Sequence, residues 1–175
     1  MTDATSLQTA RERAESLYRA GEYRQAAQAF AGAAESCSAA GETLMGAELK
    51  NDQSVALLRA GNAREALEAA EGTERVFAAA GDARREGIAY ANQAAAQQAL
   101  HHAGPATVLF EKSGALLEAA GEGELHLEVM QSLSVLYLRQ GKLLKAVIAL
   151  QSGLAGVKNP TPRQKFMKAL LSFRL

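Results

Sequence analysis

Apolar residues recur at steps of three and four along most of this chain, which is the spacing of one face of an α-helix. The first such segment covers about residues 6–20 and places Leu7 and Leu17 on one side. Gly21 follows, and glycine ends a helix well because it adopts the left-handed C-cap conformation without steric cost. A second apolar face follows and ends before Gly41. Together the two segments predict a helical hairpin.

The hairpin pattern repeats every 40 residues: Ala-Ala-Gly occupies residues 39–41, 79–81 and 119–121, and alanine recurs at positions 26, 66, 106 and 146. Repetition at a period of about 20–50 residues is typical of solenoid proteins. The sequence therefore predicts an all-α chain built from four antiparallel helical hairpins. Their expected bounds are about residues 6–41, 42–81, 82–121 and 122–157.

The third and fourth copies depart from the pattern. His101 stands where glycine is expected, so the sequence predicts that this turn moves to residues 102–105, where Pro105 suits the first turn of the next helix. The fourth copy is the most hydrophobic. We therefore expect its second helix, which carries Leu143 and Ile148, to be the most buried of the set.

A basic tail follows the fourth copy. Two prolines within residues 158–162 predict a linker, because no helix interior accepts them. An amphipathic helix is predicted over residues 163–175, with Phe166, Leu170 and Phe173 on its apolar side. The favoured interpretation is a cap that covers the open end of the array. The other is a contact with a partner protein, a second copy or an anionic membrane surface.

Charge and composition narrow the function classes. Lys plus Arg and Asp plus Glu both total 19, so the basic excess of a nucleic-acid-binding surface is missing. Cys37 is the only cysteine and falls on an apolar face, which excludes an internal disulfide and favours a buried structural thiol. No apolar run approaches the ~18 residues of a membrane span, and the N-terminus lacks a secretory leader pattern. We expect a soluble cytoplasmic protein.

The copies resemble the tetratricopeptide repeat over about residues 7–157. In the first copy, that family's glycine, aromatic, small, bulky and small positions are occupied by Gly21, Tyr23, Ala26, Phe30 and Ala33. Later copies lose the aromatic residue, and the period is longer than the family's usual ~34 residues. The resemblance implies a right-handed α-solenoid whose first helices line a concave groove for an extended or helical peptide.

The resemblance also implies which residues line that groove. They are Arg11, Glu12, Glu15 and Arg19 in the first copy, Glu48, Asn51, Asp52, Val55 and Arg59 in the second, Asn92 and Gln98 in the third, and Gln131, Ser132 and Arg139 in the fourth. Arg19, Arg59 and Arg139 share one register and would form a positive stripe for peptide carboxylates. Alternatively, these arginines only complement the helix dipole in the last turn.

No catalytic, cofactor-binding or metal-binding residues are assigned. His101 and His102 are adjacent and point about 100° apart on a helix, which is poor geometry for one metal ion. Glu124, His126 and Glu128 alternate in a helical segment and diverge. We therefore do not expect an enzyme or a cofactor.

Two functions follow from these patterns. The first is a non-enzymatic interaction module that binds a peptide or helix of a partner protein and serves as an adaptor or assembly scaffold. The alternative is a structural homo-oligomer, such as a homodimer, that assembles through the apolar fourth repeat and the C-terminal helix.

Overall fold

The computed structural model describes residues 4–172, and within that range the chain forms ten α-helices. The helices are α1 (Ala4–Arg19), α2 (Tyr23–Ala40), α3 (Thr43–Arg59), α4 (Ala63–Ala70), α5 (Thr73–Ala79), α6 (Ala83–Ala99), α7 (Ala103–Ala119), α8 (Gly123–Arg139), α9 (Leu143–Ala155) and α10 (Pro162–Ser172). Consecutive helices pack on each other as sequential hairpins. The prediction of an all-α repeat fold is confirmed.

The hairpin turns share one hydrogen-bonded geometry. Gly21 has a φ of 80°, and the N–H of Glu22 donates to the carbonyl oxygen of Leu17 at 3.0 Å. The bond satisfies a carbonyl that the helix end would otherwise leave unpaired.

The third copy keeps this geometry without a glycine. His101 adopts a φ of 62°, and the N–H of His102 donates to the carbonyl oxygen of Gln97 at 2.9 Å. The predicted displacement of this turn is therefore wrong, since α7 begins at Ala103. A left-handed conformation costs an L-residue about 1–2 kcal/mol, which the bonds of the turn and the packing of the two helices offset.

The second hairpin contains a break that the apolar pattern does not predict. Between α4 and α5, Glu71 is extended and Gly72 has a φ of 86°. The break leaves the carbonyl oxygen of Ala70 without a helical donor. The Thr73 hydroxyl donates to this oxygen at 2.7 Å, and Nε2 of Gln93 donates to it at 3.1 Å. The expected single helix is thus two helices, joined to α6 by buried hydrogen bonds.

The core consists mainly of two apolar clusters rich in alanine. The first joins α1 to α4 and the second joins α7 to α9, while α6 gives Ala96 to the first and Ala94 to the second. Backbones approach closely in the fourth hairpin. A Cβ atom on Gly123 would lie 2.0 Å from the carbonyl oxygen of Gly156, so only glycine allows α8 to begin against the end of α9.

The C-terminal helix packs through residues other than those expected. Met167 and Leu171 join the cluster of Leu127, Leu154 and Val157 at the α8–α9 hairpin. Phe166 and Leu170, the expected packing residues, are 69% and 61% exposed, and Phe173 lies outside the described residues. Helix α10 therefore covers part of α9 and leaves its own outward apolar face uncovered.

The second helix of the fourth hairpin is also less buried than predicted. In α9, Leu143 is 66% exposed, Leu144 is 67% exposed and Ile148 is 54% exposed. This hairpin is followed by α10 alone rather than by another hairpin, so no neighbouring helix pair covers that side of α9. The expectation that α9 is the most buried helix is wrong for this reason.

Candidate functional site

The first helices of three successive hairpins share one polar face, which ion pairs link together. Nη2 of Arg11 on α1 lies 3.2 Å from Oε1 of Glu48 on α3, and Nη2 of Arg85 on α6 lies 3.9 Å from Oε2 of the same carboxylate. Nε of Arg11 also pairs with Glu15 at 2.9 Å, which raises the pKa of Arg11. Three predicted groove residues, Arg11, Glu15 and Glu48, therefore lie side by side on this face.

A cavity of about 320 Å³ opens beside these ion pairs. Its lining comes from α1, α2 and α3 and consists of Glu15, Tyr18, Arg19, Phe30, Asp52 and Val55. Phe30 forms an apolar floor and is 3% exposed. The Tyr18 ring packs edge-on against Tyr23, with ring centroids 5.4 Å apart. The cavity thus brings together four of the residues predicted from the repeat register: Glu15, Arg19, Asp52 and Val55.

The Asp52 carboxylate is the unusual group in this cavity. Burial raises its pKa to about 6. The nearby Arg11 charge lowers the pKa, and the Glu48 and Glu15 charges raise it. Within residues 4–172, no donor forms a hydrogen bond or a close ion pair with this carboxylate. A partly buried carboxylate without a close partner costs folding free energy.

Asn51 is not available to a peptide, which corrects its assignment to the groove. Its side chain is 6% exposed and contacts the Thr73 hydroxyl, with 3.1 Å between Oδ1 and Oγ1. Gln93 completes the same buried group by donating from Nε2 to Oε2 of Glu74 at 2.7 Å. Asn51 therefore stabilises the break between α4 and α5.

The other predicted groove residues are reachable from solvent, and their role remains a prediction. Glu12, Arg19, Arg59, Gln131 and Arg139 are exposed, whereas Val55, Asn92, Gln98 and Ser132 are half-buried. Oγ of Ser132 donates to the carbonyl of Glu128 in its own helix. Among the described residues, none forms an ion pair with Arg19, Arg59 or Arg139. Their guanidinium groups are exposed to solvent.

The structure also contains a second concave feature that the sequence did not reveal, a furrow of about 420 Å³. One wall is Glu111, Gly114, Ala115 and Glu118 from α7, the floor is His126, Met130, Leu133 and Tyr137 from α8, and the other wall is Lys145, Ile148, Ala149 and Ser152 from α9. In the sequence, this furrow is indicated only by small residues such as Gly114 and Ala149. Small residues at these positions also fit ordinary close packing of helices.

Polar groups at the furrow are mostly paired with each other. The Tyr137 hydroxyl donates to Oε1 of Glu111, and Nζ of Lys145 lies 5.6 Å from the centre of the Tyr137 ring. Burial and this hydrogen bond raise the pKa of Tyr137 to about 12. His126 is 2% exposed with its Nδ1 atom unpaired, and burial lowers its pKa despite the Glu118 charge. The neutral imidazole thus acts as part of the floor.

Cys37 is fully buried, and burial raises the pKa of its thiol, as expected for a structural cysteine. Within the described residues, no three His, Cys, Asp or Glu side chains come together as a metal site would require. None of the helices in residues 4–172 combines the length and hydropathy that crossing a membrane requires.

The sequence matches no protein-family model and no curated protein. Among solved structures, it is similar to the crystal structure of a Podosopora anserina protein described as a kinesin light chain with nearly identical TPR-like repeats. The TM-score is 0.76 at 18% sequence identity, and the match covers 98% of this chain and 87% of the other. At this identity the likeness concerns the fold alone. The chain therefore has the fold of the TPR-like helical repeat proteins, as the resemblance of its first copy predicts.

Proposed function

We propose that this protein is a non-enzymatic interaction module, an adaptor or scaffold that binds a segment of a partner protein on the face shared by α1, α3, α6 and α8. The observation that carries the proposal is the cavity between α1 and α3, where the half-buried Asp52 carboxylate lacks a close cationic partner. A fold of stacked hairpins supplies such faces without catalytic machinery.

The chemistry of the cavity favours a partner segment with a basic side chain. A lysine or arginine that enters it would pair with Asp52 and with Glu15 beside it, in surroundings where water screens charge less than at an open surface. The Tyr18 ring offers a face for the same cation. The apolar carbons of a long basic side chain would cover Phe30 and Val55. The cavity is thus suited to one anchoring residue of the partner.

The arginines at the ends of the first helices supply the complementary contacts. Arg19 lies at the cavity, and Arg59 and Arg139 occupy the same register in later copies. A guanidinium binds a carboxylate through two parallel hydrogen bonds, so these residues fit acidic side chains of the same partner. The proposed ligand is therefore a segment of mixed charge with a basic anchor.

A displayed library of random peptides, selected on the purified protein, tests the proposal. We expect enriched peptides to share a Lys or Arg, and we expect Asp52→Asn to abolish that enrichment. Glu35→Gln is the control, since Glu35 is exposed on α2 and lies outside both the predicted groove and the cavity lining. Failure to enrich any basic peptide, or equal enrichment on the Asp52→Asn variant, would contradict the basic anchor.

Replacing Arg19, Arg59 and Arg139 together by alanine tests the second set of contacts. Binding of the selected peptides should weaken by at least about tenfold while helicity stays the same, because these exposed side chains carry no structural contacts. Unchanged binding would show that the three arginines do not contact the peptide and only complement the helix dipole in the last turn.

A second function, self-assembly, is favoured by the exposed apolar residues at the C-terminal end. Large apolar side chains on α9 and α10 are more than half exposed, namely Leu143, Leu144, Ile148, Phe166 and Leu170. A group of exposed apolar side chains at one end of a repeat array favours an interface there. Light scattering tests this candidate, since a chain that stays monomeric at all accessible concentrations is not a homo-oligomer.

A further inference from the structure

We infer that two copies of this chain form a two-fold dimer in which the outward face of α10 of each copy docks into the furrow between α7 and α9 of the other. The inference rests on the second function above and specifies which surfaces meet. Four features of the chain support it: the shape of the furrow, the spacing of apolar residues on α10, the charges of both, and the position of α10 on its own subunit.

The furrow has the dimensions of a groove for a short amphipathic helix. Its α7 wall runs from Glu111 to Glu118, which is about 10 Å at 1.5 Å per residue. Met130 and Leu133 make the floor apolar, and Ile148 at the rim is 54% exposed. A groove of this type takes side chains spaced one helical turn apart on the ligand helix.

The outward face of α10 offers that spacing. Phe166 and Leu170 are four residues apart, which places them on one side of the helix about 6 Å from each other. Both are more than 60% exposed, whereas Met167 and Leu171, about 100° around the helix, hold it to α9. Two large unpartnered apolar side chains therefore project from a helix that is already in place.

Charge complementarity selects α10 as the occupant. The α7 wall carries two carboxylates, Glu111, which accepts the Tyr137 hydrogen bond, and Glu118, and the α9 wall carries one cation, Lys145. Helix α10 carries Arg163, Lys165 and Lys168 and no acidic residue, and all three cations are exposed. Arg163 lies on the same side of α10 as Phe166 and Leu170, three and seven residues before them, so docking these two side chains into the furrow would bring Arg163 against the acidic wall.

The contact has to form between copies. Within one chain, α10 packs on the side of α9 that holds Leu150 and Leu154, and Nε2 of Gln151 donates to the carbonyl oxygen of Leu171. The furrow lies on another side of α9, which carries Lys145 and Ile148. Because both surfaces belong to the same end of the array, a two-fold axis lets each copy give and receive one helix, which closes the assembly at two.

Light scattering and sedimentation of the full chain test the inference. We expect a dimer at micromolar concentration. The double variant Phe166→Ser, Leu170→Ser removes the docking side chains, and Ala115→Arg fills the furrow, since Ala115 lines its exposed wall. Each should be monomeric with unchanged circular dichroism. Leu44→Ser is the matched control, an apolar residue 41% exposed on α3, and should leave the dimer intact.

A charge exchange tests whether these two surfaces meet each other. Glu118→Lys in one chain and Arg163→Glu in another should each raise the dimer dissociation constant at least about tenfold. Mixing the two chains should restore a heterodimer, because both reciprocal contacts then pair opposite charges. A mixture no more dimeric than its components overturns the inference.

The remaining outcomes also separate the two claims. A wild-type chain that stays monomeric overturns this inference and the self-assembly function together. A dimer that survives both Ala115→Arg and the serine double variant overturns the docking of α10 while self-assembly stands. Neither outcome affects the peptide-binding proposal, which depends on the cavity at Asp52.

Discussion

Replacing Asp52 by asparagine should stabilise the protein at neutral pH. In the folded state, burial raises the pKa of this carboxyl from 3.8 to about 6. The folded protein thus binds the proton more tightly than the unfolded chain does, and the stability contributed by this group falls as the pH rises from about 4 to about 6. The loss is complete above about pH 6. Asparagine resembles the protonated carboxyl and avoids the loss.

The magnitude follows from the difference between the two pKa values. One pKa unit corresponds to about 1.4 kcal/mol, so the upper limit is about 3 kcal/mol. Asp52 is only partly buried, and water that enters the cavity reduces this penalty. We therefore expect Asp52→Asn to raise the free energy of unfolding by about 1–3 kcal/mol at neutral pH and by almost nothing near pH 4.

Urea unfolding, followed by circular dichroism between about pH 4 and about pH 8, measures this effect. Comparing variant with wild type cancels the titration of the three histidines, which both proteins share. Glu12→Gln serves as the control, because Glu12 is exposed and its carboxylate accepts a hydrogen bond from Gln8 at 2.8 Å. A stability gain that is the same at every pH, or a carboxyl titration by NMR with a midpoint near 4, would refute the reasoning.

Three further predictions concern the backbone. His101→Gly should stabilise the protein by about 0.5–1 kcal/mol, because it relieves a left-handed residue, whereas His102→Gly, at a φ of −86°, should not; thermal unfolding compares them. Gly123→Ala should lower the free energy of unfolding by at least about 2 kcal/mol, because the new Cβ atom meets a carbonyl oxygen. Gly32→Ala, which has open space around it, should raise that free energy by up to about 1 kcal/mol, and urea titrations measure both. Thr73→Val should cost about 1–3 kcal/mol by the same titration, and faster amide exchange in α4 and α5 should accompany the loss; an unchanged exchange rate would show that the hydroxyl does not stabilise the break.

The repeat period predicts the hairpins well because it reports local backbone requirements, and it misses features that depend on distant partners. Gly32 and Gly72 occupy the same position of the repeat, yet α2 runs through the first and the chain breaks at the second. Two side chains close the break: Thr73, which stands where the first copy has Ala33, and Gln93 from another hairpin. The repeat period alone does not predict where the Gln93 side chain lies in the folded protein.

The candidate site shows the same limit. The register places Asp52 on the face of the first helices, but only packing against α1 shows that its carboxyl is partly buried and lacks a close cation. On α10, Phe166 and Met167 are neighbours whose side chains point about 100° apart. The sequence shows an apolar stripe broad enough for either to pack, and contact with α9 selects Met167.

Helix α6 has a consequence for how the array opens. Because it supplies Ala96 to one apolar cluster and Ala94 to the other, neither half can detach without exposing apolar surface on this one helix. Nearest-neighbour coupling in repeat arrays passes through such shared walls. We expect the slowest amide hydrogen exchange in α6 and faster exchange toward both ends. Binding of a ligand at Asp52 would then affect the α7–α9 furrow through this helix.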